Sequence, residues 1–189
     1  MKQFVVELLQ TRLPPHYFYH NVNHTLDVVQ NVLEIGRQEG CSEEELKLLH
    51  AAALWHDTGF VETYAEHEAA SCRLAAQYLP KYGYSDLETE RICTLIMATK
   101  IPHAPADHLE EIMADADLEY LGKAAPGAKT NDLFRELQYV TPELEETEWN
   151  QIQISFLRQH HYFTRFCQVH REPLKQAYLT SLLTADGQP

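Results

Sequence analysis

Two histidines four residues apart, a His-Asp dipeptide and a pair of late aspartates give this 189-residue chain the means to hold a metal ion. They stand in Tyr19-His20-Asn21-Val22-Asn23-His24, in His56-Asp57 and in Asp115-Ala116-Asp117. A divalent cation of the transition type takes neutral imidazole nitrogens and ionised carboxylate oxygens, so three separated stretches could supply two histidines and two aspartates to one point. An ion so held keeps positions for water and a phosphate oxygen, and it lowers the pKa of that water toward neutrality. Hydrolysis of a phosphoester is the chemistry this set suits.

The elements that must carry these residues read as helices. His20 and His24 share one helix face, about one turn apart, and the run Leu26, Val28, Val29, Val32, Leu33, Ile35 places them near the start of an amphipathic helix ending before Gly40. Residues 46–55 form an apolar helical run that delivers His56-Asp57 at its end, where a charged aspartate is costly unless a cation meets it. Residues 112–122 form a third apolar helix, on which Asp115 and Asp117 point about 200° apart, so only one of them serves the pocket.

A histidine, then His-Asp, then a distant Asp resembles the HD superfamily of metal-dependent phosphohydrolases over roughly residues 16–122, in particular its small stand-alone predicted phosphohydrolases. The resemblance implies an all-α, single-domain helical bundle with His24, His56, Asp57 and Asp117 as metal ligands. Asp117 is preferred to Asp115 because Leu118 and Leu121 follow it as in the family pattern. Tyr-His-Asn-x-x-His also resembles the cyclic-nucleotide phosphodiesterase branch, in which the first histidine protonates the leaving oxygen; that role falls on His20. The chain departs from that branch after His-Asp, reading Thr58-Gly59-Phe60-Val61, so a cyclic-nucleotide substrate is not carried over.

Two further candidates complete the chemistry. Lys100, in Ala98-Thr99-Lys100-Ile101-Pro102-His103, follows an apolar helix and is placed to pair with phosphate. Glu62, in the loop after His-Asp, resembles in role the acid that relatives use to orient water. His67 marks where binuclear relatives place a second-metal ligand, but Thr99-Lys100 stands where a further histidine is needed and His103 would have to reach in from the loop. One divalent ion is therefore expected, with manganese, iron, cobalt, nickel, zinc and magnesium all open.

Composition sets the outer limits. A chain with 44% apolar residues and no apolar run near 20 residues reads as one sizeable domain over 1–189, in the cytosol and off the membrane. The net charge of −13, from 28 acidic and 15 basic residues, opposes a polyphosphate backbone, so nucleic acid is excluded as a partner and a small phosphorylated metabolite, nucleotides foremost, is expected. The four cysteines lack metal-ligand spacing.

Helices are expected near 1–11, 21–39, 43–56, 66–82, 86–99, 107–121, 130–139, 142–171 and 173–183. The capping boxes Ser42-x-x-Glu45 and Ser85-x-x-Glu88 and the start signal Thr141-Pro142-Glu143 support them, while Pro173 should end or kink the longest. The aromatic and histidine-rich stretch Phe156 to Phe166 offers a cover for the metal pocket, a homodimer face or, more simply, core packing. The enzyme reading, a phosphomonoesterase or pyrophosphatase, competes with a binding module that keeps the fold to sense a nucleotide.

Overall fold

The computed structural model describes residues 1–185, which form ten helices and three 3-10 turns with no strand among them. The expected domain includes 186–189, which lie outside the described residues. The helices are α1 (Lys2–Arg12), α2 (Val22–Gln38), α3 (Glu43–Trp55), α4 (His67–Tyr78), α5 (Asp86–Met97), α6 (His108–Asp117), α7 (Gly127–Val140), α8 (Glu146–Gln159), α9 (Arg165–His170) and α10 (Glu172–Ala185).

α3 is the hub because its carboxyl-terminal half has no solvent face. Its capping box forms as expected: Ser42 Oγ accepts from Glu45 N at 3.3 Å, and the Glu45 carboxylate accepts from Ser42 N at 2.8 Å. Beyond that first acidic turn, Leu46, Leu49 and the run Ala51 to Trp55 are all buried. A stretch apolar all round, as Ala51 to Trp55 is, must be surrounded, and α2 and α5 pack against α3 while α6 packs on α2. Each fully buried leucine or isoleucine contributes about 1.5–3 kcal/mol. The second capping box, Ser85 with Glu88, opens α5 in the same way.

The carboxyl-terminal part departs from expectation. Residues 142–171 do not make one helix: the chain is extended at His160 and restarts at α9. The cause is a tertiary partner. Asp115 accepts from Phe163 N at 2.9 Å, from Thr164 N at 2.8 Å and from Thr164 Oγ at 2.7 Å, and Thr164 in turn caps α9. These bonds outcompete the local helical ladder.

Thr141-Pro142 makes a turn after α7 instead of opening α8, which starts at Glu146. Pro173 sits in the first turn of α10, where its missing N–H breaks no helical bond. The expected helices 66–82 and 107–121 both close in 3-10 turns, Leu79–Tyr82 and Glu119–Gly122. Leu118, Leu121, Ile154, Leu157 and Leu179 form a second, smaller apolar cluster there. In the aromatic stretch, Tyr162 is buried and its hydroxyl donates to the Leu118 carbonyl at 3.1 Å, a packing role. No helix among the described residues is long and apolar enough to cross a membrane.

Candidate metal centre

Each expected ligand arrives on an element whose end is pinned. Asn21 caps α2 by accepting from Asn23 N at 2.8 Å and His24 N at 3.3 Å, which sets His24 in the first turn. His56 closes α3, and its Nδ1–H donates to the Ala53 carbonyl at 2.8 Å, which turns Nε2 toward the site. Ser71 of α4 bridges this corner, donating to the His56 carbonyl and accepting from Gly59 N at 2.7 Å. Only glycine fits at residue 59, since a Cβ there would lie 1.9 Å from the His67 carbonyl oxygen. Asn31 of α2 donates to the Ala116 carbonyl at 3.0 Å and holds the end of α6 that presents Asp117.

The four side chains converge. His24 Nε2 lies 3.0 Å from Asp117 Oδ1 and 3.3 Å from Asp57 Oδ2, and His56 Nε2 lies 3.4 and 3.2 Å from the same atoms. The two Nε2 atoms are 3.3 Å apart. One ligand atom each from His24, His56 and Asp117 falls within 4.8 Å of the others, close enough to hold a metal ion. Asp57 Oδ2 is buried and has no hydrogen-bond partner, so the residues present fit a cation that supplies the missing one.

The charges point the same way. Burial opposes a charged His56, yet Asp57 and Asp117 hold its pKa well above the ordinary value. Burial likewise opposes both carboxylates, but the imidazoles keep Asp57 and Asp117 ionised far below the usual range. Asp115 does not join them, because its carboxylate is committed to Phe163 and Thr164.

The other expected residues are distributed around a cavity of about 590 Å³ that opens from the ligands. His20 lines it, with Nδ1 on Glu136. Glu136, fully buried on α7, also accepts from Tyr19 N at 2.9 Å and His20 N at 3.0 Å. Burial works against a charged His20, but Glu136 and Asp57 outweigh it and its pKa is raised. Lys100 stands at the rim, ion-paired with the exposed Glu66.

Glu62 is placed otherwise than expected: it is exposed, pairs with Arg73 at 3.1 Å and is not part of the cavity wall, because the turn Thr58–Val61 carries it to the surface. His67 stacks on Phe60 with ring centroids 3.8 Å apart and approaches Asp57 Oδ1 at 3.5 Å, outside the four-residue cluster. His103 Nε2 turns to the Thr99 carbonyl at 3.2 Å.

Sequence reading missed Glu136, Ser71 and the tyrosines of the wall. The signal for Glu136 was an acid on the apolar stripe Thr130, Leu133, Leu137 of α7. Tyr19 packs on the His24 ring with centroids 4.7 Å apart and on the Tyr120 ring at 5.5 Å, a contact no local pattern announces. Behind Asp117 a second recess of about 270 Å³ is lined by Asn31, Lys123 and Lys129.

An all-α domain whose helix ends gather two histidines and two aspartates, close enough to hold a metal ion, defines the class. The family model described as HD domain matches residues 21–119, and the chain belongs to the HD-domain family. Its structure is similar to that described as a predicted HD superfamily hydrolase from an uncultured Thermotogales bacterium, with a TM-score of 0.60 and 19% identity, over 97% of this chain and 91% of that one. At that identity the likeness speaks for the fold. No curated protein sequence matches the chain.

Proposed function

We propose that the chain is a metal-dependent phosphohydrolase that cleaves a phosphoester or pyrophosphate bond in a nucleotide or another small phosphorylated metabolite in the cytosol. The observation that carries this is the convergence of His24, His56, Asp57 and Asp117, with the two aspartates facing an open cavity and the buried Asp57 Oδ2 in no hydrogen bond, facing the two imidazole nitrogens. A divalent ion held there supplies Lewis acidity for the phosphoryl group and acidifies water.

The chain's own groups do the rest. His20, facing the cavity with its other nitrogen on Glu136, is placed to hand a proton to the leaving oxygen and is kept in one orientation by that bond. Lys100 at the rim offers its ammonium to an incoming phosphate in exchange for Glu66. Phe60, stacked on His67, excludes water from one side of the ligand cluster.

The test is a panel of nucleotides and sugar phosphates assayed with manganese, nickel, cobalt or magnesium, beside elemental analysis of protein purified without chelator. Metal-dependent release of phosphate or pyrophosphate supports the enzyme. No turnover together with micromolar nucleotide binding makes the protein a sensor instead.

A further inference from the structure

The cavity beside the ligands changes character along its length. Near the cluster its wall is His20, Asp57, His67 and Asp117, with Glu66 and Lys100 at the rim. On the side supplied by α7, α8 and α10 the wall is Leu133, Leu137, Trp149, Ile152, Phe156 and Leu157. Polar groups on this side are few: Thr130, Gln153 and Tyr178 are bonded to one another or to neighbours, and the buried Trp149 indole N–H is unpaired. Thr130 Oγ is bonded to the Gly127 carbonyl at 3.0 Å and to Tyr178 Oη at 3.1 Å, Tyr178 donates to Gln153 Oε1 at 2.8 Å, and the Gln153 amide donates to Asn150 at 3.3 Å.

Such a chamber rewards one kind of occupant. Protein interiors ordinarily close voids between aliphatic and aromatic side chains, so open space against this wall is suited to an apolar group that arrives from outside. A sugar or base, with several polar groups to place, leaves water for a wall that is mostly aliphatic and aromatic and whose one unpaired polar group is the buried Trp149 indole N–H, and each polar group left unmatched costs on the order of tenfold in affinity. Apolar atoms carry no such penalty.

We propose that the organic half of the substrate is predominantly apolar, an alkyl or aryl body seated between α7, α8 and α10 while the phosphoryl group lies at His24, His56, Asp57 and Asp117. This rests on the phosphohydrolase reading and narrows it away from sugar phosphates. In the reaction water adds to phosphorus, the bond from phosphorus to the organic oxygen breaks, that oxygen takes a proton, and an alcohol leaves with inorganic phosphate; nothing is oxidised or reduced.

The experiment compares primary alkyl phosphates from ethyl to octyl, whose leaving alcohols differ little in acidity, with glycerol 3-phosphate and ribose 5-phosphate, on the full chain loaded with manganese. kcat/KM is expected to rise about fourfold per methylene until the chamber is full. Calorimetric binding of the matching alkyl phosphonates, which cannot be hydrolysed, is expected to strengthen by the same factor. Leu133→Gln, and Ile152→Gln should the first variant not fold, reduce the octyl-to-ethyl ratio in both measurements at least tenfold.

Phosphonate binding that grows with chain length without turnover of any ester keeps the chamber and removes the hydrolase. Turnover that ignores chain length, or that favours the two sugar phosphates, keeps the hydrolase and overturns the chamber. Neither turnover nor length-dependent binding overturns both.

Discussion

Asp115 and Asp117 stand two residues apart on α6 and face different partners, so substituting them separately divides stability from metal binding. Asp115 holds Phe163 N, Thr164 N and Thr164 Oγ, and Thr164 is buried. In Asp115→Ala these donors lose their acceptor at about 1–3 kcal/mol each. Part of that is offset, because burial already pushes the Asp115 carboxyl up to about 6 and its removal relieves that cost. A net loss of about 3 kcal/mol follows, which for a chain of this size lowers Tm by about 6–12 °C.

Asp117 touches the two imidazoles, so Asp117→Asn is expected to lower the Tm of chelator-treated protein by less than Asp115→Ala does and to weaken metal binding at least about a hundredfold. Calorimetric melts of chelated protein and metal content by elemental analysis read the two effects. The assignment is refuted if Asp115→Ala loses the metal at unchanged Tm, or if Asp117→Asn retains it.

Three other outcomes follow from single contacts. Gly59→Ala drives a Cβ into the His67 carbonyl and the Ser71 backbone and should cost about 3 kcal/mol or more in urea melts; a loss below about 1 kcal/mol would show that α4 can move aside. Glu136→Gln keeps an acceptor for the Tyr19 and His20 amides but withdraws the carboxylate from His20 Nδ1, so kcat should fall about 10- to 100-fold with metal content unchanged; an unaltered kcat removes His20 from the chemistry. Burial, with Lys175 beside it, lowers the His160 pKa from 6.5 to about 3. Between these values the unfolded chain takes up a proton that the folded chain refuses, so stability present above pH 6.5 declines as pH falls, by about 1–2 kcal/mol at pH 5. Urea melts of His160→Asn against the parent chain should show that decline reduced, and parallel acid profiles would contradict the assignment.

What could be read without coordinates is what depends on near neighbours in the chain. Helical periodicity and the capping boxes at Ser42 and Ser85 are local properties, and they gave the all-α architecture and the helices that carry the expected ligands; the spacing of His20 and His24 did not put both on one helix, because the Asn21 cap starts α2 at Val22 and leaves His20 ahead of it. That Asp115 and Asp117 cannot serve one pocket is also local geometry. Which of them turns to the site was decided in the folded chain, where the amides of residues 163 and 164 claim Asp115 from nearly fifty positions away.

The same long-range bonds break the helix that periodicity extends across 142–171, since propensity is worth tenths of a kcal/mol per residue and loses to buried hydrogen bonds. Glu62 was drawn toward the site by its position after His-Asp, but a 3-10 turn no local signal marks points it at Arg73. Glu136 and the apolar chamber were invisible for the converse reason: they exist only where α7, α8 and α10 fold back over the amino-terminal helices. Types and spacings in the chain name the groups able to bind and to transfer a proton, while packing between distant segments settles which of them face one another and what space is left between them.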